Sequence, residues 1–418
     1  MPNQNINMIN STTYKKLIAV SIEQLHEIQN PSAKTKLKNT AKKMLGRSVA
    51  DKDIMFWPAG MLLLGLVQAL DSNYIDDATR KRIIKEINNH LDICNQKVEY
   101  VDDCLAGVAL IKYMIYIQNN YTQESTLIEQ LSSYIDKIYS FISNCRTDST
   151  GSIIYNNKAQ NDYIFADGCG MITMFLSAYA AAFNNDEARI LAEKQLYDFM
   201  NYGMDKRTGL PYHGYSQDEN EQKGIIGWGR AVGWIIMGLS EYVQLDTTCK
   251  LFTNMYQKLI TSVLAYQRED GGYSWQLECT GGHIDTSATA MITYSLLPAT
   301  DANIYNKIAS SSSAEKINSI DNTIDTNSSD NTNNTGDSNC YASTNGTKKS
   351  TIIDIQNLDI NNIRTSIDKS RTCLINHIDE SGHVTNSLSA CIDFAVHYQT
   401  YGCYPWGQGA TIASLTEV

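Results

Sequence analysis

Two helical textures alternate along this chain. Across residues 124 to 144, Leu127, Leu131, Tyr134, Ile135, Ile138 and Ile142 recur at three- and four-residue spacing, with Glu129, Gln130, Asp136 and Lys137 between them. That stripe predicts a helix with one face on a core and the other in water. Residues 167 to 184, DGCGMITMFLSAYAAAFN, are instead small and apolar almost all round, as expected of a helix enclosed by other helices. Half-exposed helices are expected at 12–29, 76–95, 124–144, 185–202, 247–268 and 353–376, and enclosed ones begin near 57, 102, 167, 228, 285 and 406. The enclosed starts are 45, 65, 61, 57 and 121 residues apart. A single helical hairpin cannot bury its own apolar face, so repeated hairpins must pack on their neighbours. Six of them closing on themselves predict an all-α, six-hairpin α/α barrel (a toroid), one domain over residues 1–418. Strand signals are short; 152–155 and 272–275 fit small hairpins between helices.

The longest spacing contains residues 309–350, dominated by Ser, Asn, Thr and Asp. Such a stretch buries too little apolar surface to offset the entropy of ordering it, and it is expected to be a disordered, low-complexity insertion. The rest, with 43% hydrophobic residues overall, can build a large core.

Charge removes several function classes. With 34 Lys and Arg against 45 Asp and Glu, the net charge is -11, and no basic patch offers a footprint for nucleic acid or an anionic membrane surface. The apolar run 55–67 falls short of the ~20 residues that span a bilayer and contains Pro58, Gly60 and Gly65, so it reads as a buried helix. The start MPNQNINMINSTTYKK lacks the charged and apolar regions of a secretory signal, which predicts a cytoplasmic protein. The ten cysteines form no CxxC pair and no cluster with histidine; they are expected to be reduced thiols, mostly filling the core. No metal and no organic cofactor is expected, because no set of His, Cys or carboxylates has ligand spacing. Nothing in the pattern separates a monomer from a dimer, and both are carried forward.

Each enclosed helix begins with residues that a pure core would not need: Phe56-Trp57, Asp102-Asp103, Asp167, Trp228 to Arg230, Asp285 to Ser287 and Tyr404 to Trp406. In a ring of hairpins all enclosed helices run the same way, so these starts converge on one mouth. Helix capping accounts for Asp and Ser at such positions. It does not account for Trp, Tyr and Arg. Aromatic walls with a few carboxylates suit a sugar, whose faces stack on rings while polar groups orient its hydroxyls.

These residues also carry a resemblance. TGLPYHGY (208–215), WGRAVGW (228–234), GGYSWQ (271–276), DTSATAMITYSLL (285–297) and PWGQGATIASLTE (405–417), with VDDCLAG (101–107) and FADGCGM (165–171), resemble glycoside hydrolase family 105 in order and spacing. Members are unsaturated rhamnogalacturonyl hydrolases with a six-hairpin barrel, and the related family 88 releases unsaturated glucuronyl groups. The resemblance implies hydration of the C4=C5 double bond that a polysaccharide lyase leaves behind, with no metal. It implies Asp167 as acid and base and Asp102 as second carboxylate, with Asp103 its nearest rival. His213 matches a family active-site histidine, and Arg230 matches an arginine whose planar fork suits a uronate carboxylate. Trp228 is expected to stack on substrate. Trp57, Trp275, Trp406 and His283 are expected to line the mouth.

The implied substrate is an unsaturated galacturonyl residue on a pectin or rhamnogalacturonan lyase product, such as the disaccharide with rhamnose. Two alternatives stay open: an unsaturated glucuronyl hydrolase for other lyase products, and an inactive carbohydrate-binding barrel. The chain departs from the family pattern where Ala231 and Val232 replace Gly-Asn, where Phe165 replaces a usual Trp, and where Tyr155 stands near a usual His.

Overall fold

In the computed structural model the described residues are 9–31, 54–156, 161–311, 358–391, 393–397 and 399–416. Six helices form an inner ring: α2 (Trp57–Ala69), α4 (Cys104–Asn120), α6 (Ala166–Phe183), α8 (Gly229–Leu245), α10 (Thr286–Leu296) and α13 (Pro405–Leu415). Each packs on the next, and α13 packs back on α2, so the ring is closed. Outside lie α1 (Ser11–Gln29), α3 (Asp77–Cys94), α5 (Ser125–Ser143), α7 (Asp186–Tyr202), α9 (Lys250–Ala265) and α12 (Ile360–Asn376). The six-hairpin barrel expected from the pattern is the observed fold. A short extra helix, α11 (Ala302–Ser311), takes up the first residues of the expected insertion, while 312–350 lie outside the described residues.

The two textures have the predicted cause. On α5 the buried residues are Leu131, Tyr134, Ile135, Ile138 and Ile142, a single stripe. On α6 the chain is buried continuously from Gly168 to Ala180, and each large apolar side chain there contributes about 1.5–3 kcal/mol by leaving water. Among the described residues α6 is also the one helix long and apolar enough to cross a membrane; here the ring itself supplies the apolar surroundings. Closure depends on two glycines. A Cβ on Gly65 would sit 2.4 Å from Gly409 O, and one on Gly409 would sit 2.2 Å from Met61 O, so α2 and α13 meet backbone to backbone.

Strands occupy only the loops. β1 (Ile164–Phe165), β2 (Tyr212–Ser216) and β3 (Glu221–Ile226) form a three-stranded antiparallel sheet, with Phe165 opposite Gly214 and Tyr212 opposite Ile226. β4 (Ser387–Leu388) pairs with β5 (Tyr401–Gly402). The expected hairpins at 152–155 and 272–275 reduce to isolated bridges, Thr147 with Ile153 and Ser274 with Ile284. All nine cysteines among the described residues are free. The expectation of core filling holds for Cys94, Cys104, Cys169 and Cys373, whereas Cys279 and Cys403 are exposed.

Candidate active site

The inner helices begin at one end of the ring, and a cavity of about 540 Å3 opens there. Its wall combines those helix starts (Trp57, Asp167, Met171, Trp228, Arg230 and Trp234) with loop residues Tyr155, Phe165, His213, Ala390, Cys391, Asp393 and Phe394. The size suits a small ligand, and the mix of rings and few charges suits a sugar.

Asp167 stands in the first turn of α6. Burial at this depth pushes its carboxyl above the usual carboxylate range; His213 and Arg230 pull the other way without cancelling the effect. Its Oδ1 is buried and has no hydrogen-bond partner. The indole Nε1 of Trp228 is likewise buried and unpartnered. Two residues that line the cavity thus each keep one buried polar atom with nothing in the protein to satisfy it, which is unusual for buried polar groups.

His213 sits on β2, with its ring centroid 4.4 Å from that of Trp228. Its Nδ1 lies 3.2 Å from Phe394 O. A carbonyl can only accept, so Nδ1 carries a proton and donates it there. The β2–β3 pair that carries His213 was not expected from sequence, because its alternation is broken by a register shift between Tyr212 and Gly214.

Arg230 is 2% exposed, and its fork is engaged within the protein. Nη1 donates to Leu388 O and Nη2 to Ser389 O, both at 2.8 Å. Its guanidinium lies 4.7 Å from the Trp228 ring centroid and 3.8 Å from Asp285 Oδ2. Arg230 therefore lines the cavity while holding the strand β4, a task the expected carboxylate clamp did not include.

Of the other expected residues, Trp57 reaches the cavity and Trp406 stands behind it, ring centroids 4.7 Å apart, with Nε1 donating to Leu388 O at 2.9 Å. Trp275 and His283 do not reach the cavity wall. The Trp275 N–H donates to His283 O at 3.1 Å, and the His283 ring stacks on Tyr401 at 3.7 Å. The lining expected of Trp406, Trp275 and His283 is thus not observed: Trp406 is held in the first turn of α13 by its Nε1 bond and by stacking on Tyr404, and backbone pairing and stacking on Tyr401 hold Trp275 and His283 in the adjoining loop. Trp234, not among the expected site residues, also lines the cavity.

Asp102 lies in the short turn Val101–Asp103 ahead of α4, off the cavity wall. Burial first, then the charges of Asp102 and Asp167, raise the Tyr155 hydroxyl well above its ordinary value, so both carboxylates act on that side chain. Its rival Asp103 is fully buried, and its Oδ2 accepts from the N–H groups of Glu99 and Tyr100 at 2.8 and 3.1 Å. Capping accounts for Asp103. Asp285 caps α10 in the same way, with Oδ1 accepting from Ser287 N–H at 2.9 Å and from Leu388 N–H at 3.1 Å.

The segment after β4 was missed by sequence reasoning. Ala390, Cys391, Asp393 and Phe394 form one wall of the cavity, and Phe394 lies flat on Phe165, centroids 4.9 Å apart with planes 2° from parallel. The available signal was a pair of aromatic residues, Phe394 and Tyr398, in the run SACIDFAVHYQT. Among the described residues, no group of three or more His, Cys, Asp or Glu side chains is placed to hold a metal ion.

The family model for Glycosyl Hydrolase Family 88 matches residues 28–358. The chain belongs to that family. This family 88 chain is also similar over nearly its full length to several solved structures. A possible member of glycoside hydrolase family 105 from Salmonella enterica serovar Paratyphi A shares 16% identity over 99% of this chain and 95% of its own, with a TM-score of 0.67. A family 105 glycoside hydrolase from C. acetobutylicum shares 15% over 96% and 98%, with a TM-score of 0.63. An unsaturated glucuronyl hydrolase from Bacillus sp. GL1, responsible for glycosaminoglycan degradation, shares 14% over 96% of each chain, with a TM-score of 0.58. At such identities the likeness speaks for the fold. No curated protein matches the chain. Family membership makes the chain a glycoside hydrolase of the unsaturated uronyl type, acting on carbohydrate.

Proposed function

We propose that this enzyme removes an unsaturated galacturonyl residue from short products of pectin or rhamnogalacturonan lyases, with Asp167 as the proton donor. The observation that supports this reading is Asp167 itself: a residue on the wall of an aromatic cavity whose carboxyl is held above the usual carboxylate range by burial and keeps one sealed oxygen without a partner. A carboxyl that keeps its proton near working pH is what slow protonation at carbon requires. In the proposed reaction the Asp167 proton goes to C4, the alkene electrons form the new C4–H bond, and positive charge develops at C5 and the ring oxygen. Water adds at C5 and returns a proton to the Asp167 carboxylate. The hemiketal then opens to a C5 ketone, and the former ring oxygen, now a hydroxyl on C1, expels the second sugar. The His213 ring and the indole of Trp228 are suited to orienting hydroxyls and the entering water. Asp102, acting through Tyr155, is read as a positioning carboxylate.

The test is incubation of purified protein with lyase-generated oligosaccharides from pectin, rhamnogalacturonan and glycosaminoglycans, following loss of the conjugated-alkene absorbance. The galacturonyl products should be consumed fastest, and in heavy water deuterium should appear at C4 of the released keto sugar. Faster loss from glucuronyl products would move the assignment to the glucuronyl alternative. No loss from any of them, with a cooperatively folded protein, would favour the inactive carbohydrate-binding barrel.

A further inference from the structure

Asp167 is not the only carboxylate on the cavity wall. Asp393 lines it too, in the loop after β4. Its side chain is 35% exposed, so it stands at the rim, while Asp167 lies deep enough for burial to control its proton. The match to the family 88 model ends at residue 358, before this loop begins. Resting on the reading of the cavity as the site for an unsaturated uronate, we infer that Asp393 is a specificity-determining residue that makes the enzyme reject leaving sugars carrying a negative charge.

Three observations support this. First, the carboxylate is held in place. Asp393 Oδ1 accepts from the N–H groups of Ala395 at 2.9 Å and His397 at 3.2 Å, so the side chain is tied back to its own loop. Second, that loop is anchored at both sides of Asp393. Leu388 is gripped through its carbonyl by Arg230 and Trp406 and through its N–H by Asp285. Phe394 O accepts from Ile225 N–H at 3.1 Å, and its ring stacks on Phe165. A charge so fixed cannot swing out of a ligand's way. Third, little positive charge offsets it. The lining contains no lysine and one arginine, Arg230, whose guanidinium is tied to two carbonyls and lies 3.8 Å from Asp285 Oδ2. The histidine near Asp393, His397, is 68% exposed, with Nδ1 3.5 Å from Asp393 Oδ1.

A ring whose C4 reaches Asp167 leaves its C1 substituent toward the rim, where Asp393 stands. A neutral sugar there can donate hydroxyl hydrogen bonds to the free carboxylate oxygen. A sulfate or unesterified second uronate there meets like charge, so among the proposed lyase products the one ending in neutral rhamnose is favoured over one carrying a further uronate. Two unit charges roughly 7 Å apart at an effective dielectric of about 40 repel enough to change binding about tenfold.

The test compares two unsaturated disaccharides that share the same unsaturated uronic acid, one linked to a neutral hexose and one to a sulfated hexosamine. The readout is the ratio of their kcat/KM values at one fixed pH of about 8. Wild type should favour the neutral disaccharide by at least about tenfold at low salt. Asp393→Asn keeps the Oδ1 acceptor and removes only the charge, and it should raise the sulfated-to-neutral ratio about tenfold. In wild type the same ratio should rise with added salt, since screening shortens from ~30 Å at 0.01 M to ~10 Å at 0.1 M. A ratio unmoved by Asp393→Asn, or by salt in wild type, overturns the inference. If neither disaccharide is turned over, the proposed reaction fails on its own. Calorimetric binding of the two disaccharides to wild type and Asp393→Asn then reads the charge discrimination directly, and equal affinity for both would overturn it.

Discussion

The two ends of the barrel handle buried charge in opposite ways. At the mouth, Asp167 Oδ1 and Trp228 Nε1 are buried and unpartnered. Toward the other end, where the inner helices finish, Lys112 on α4 reaches across to Glu241 on α8, Nζ to Oε1 at 2.8 Å. Burial alone would lower the Lys112 pKa, but the Glu241 carboxylate outweighs it and holds the ammonium above its ordinary value. Burial raises Tyr294 on α10 beside the pair, and Gln68 on α2 donates to its hydroxyl at 3.5 Å. The Lys112–Glu241 pair is satisfied within the protein among four inner helices, whereas Asp167 and Trp228 on the cavity wall each keep a polar atom that the protein does not satisfy. A buried polar atom without a partner costs about 1–3 kcal/mol, so the contrast separates what serves the fold from what serves the reaction.

Replacing Asp167 tests that separation most severely. Asp167→Asn keeps the shape and cannot donate a proton to carbon, so turnover should fall by roughly 10²–10⁴-fold. Stability should move the other way. Because the folded-state pKa is raised, the native protein binds more protons than the unfolded chain between the ordinary carboxylate value and the folded one, and stability falls as pH rises through that window. Removing the group should therefore raise Tm at neutral pH, as a thermal melt of both proteins would reveal. A lowered Tm would mean that Asp167 supports the fold instead.

The other end should show the reverse pattern. Lys112→Met strands the Glu241 carboxylate in a largely buried setting, and losses of about 3–5 kcal/mol are typical when one partner of a buried pair is removed. Since both side chains keep some solvent contact, the lower part of that range is expected. Denaturant unfolding measures it, kcat/KM of the remaining folded enzyme should be unchanged, and Lys112→Met with Glu241→Leu should recover most of the loss.

Arg230 joins the two patterns, since it both lines the cavity and anchors β4. Arg230→Lys keeps the charge but cannot reach Leu388 O and Ser389 O together. Losing these bonds should cost about 1–3 kcal/mol in stability and raise KM more than it lowers kcat. An unchanged melt with a raised KM would restore the carboxylate clamp as its main role. The smallest effect is expected at Trp228→Phe, which keeps a ring and removes an N–H that has no partner in the protein. Stability should hold or rise slightly, and KM should rise about 2–10-fold, the equivalent of one neutral hydrogen bond.

What could be read from sequence follows from the range of the interactions involved. The inner and outer helices of the ring were legible because burial on one face or on all faces is written into the spacing of Leu131, Tyr134, Ile135 and Ile138, or into the unbroken apolar run of α6. The convergence of Trp57, Asp167, Trp228 and Arg230 followed from the helices running one way round a closed ring. Tertiary structure alone decided the rest. Asp103 and Asp285 look like Asp167 in sequence, and only their contacts show that backbone N–H groups hold one oxygen of each. Trp275, His283 and Trp406 stand beside inner-helix starts, yet pairing and stacking turn them away from the cavity. The wall from Ala390 to Phe394 carries no helical period, and its place over the cavity is set by Arg230, 158 residues from Leu388 along the chain. Periodicity records burial, which acts between near neighbours; the partner of a particular oxygen or ring is chosen by the closed ring.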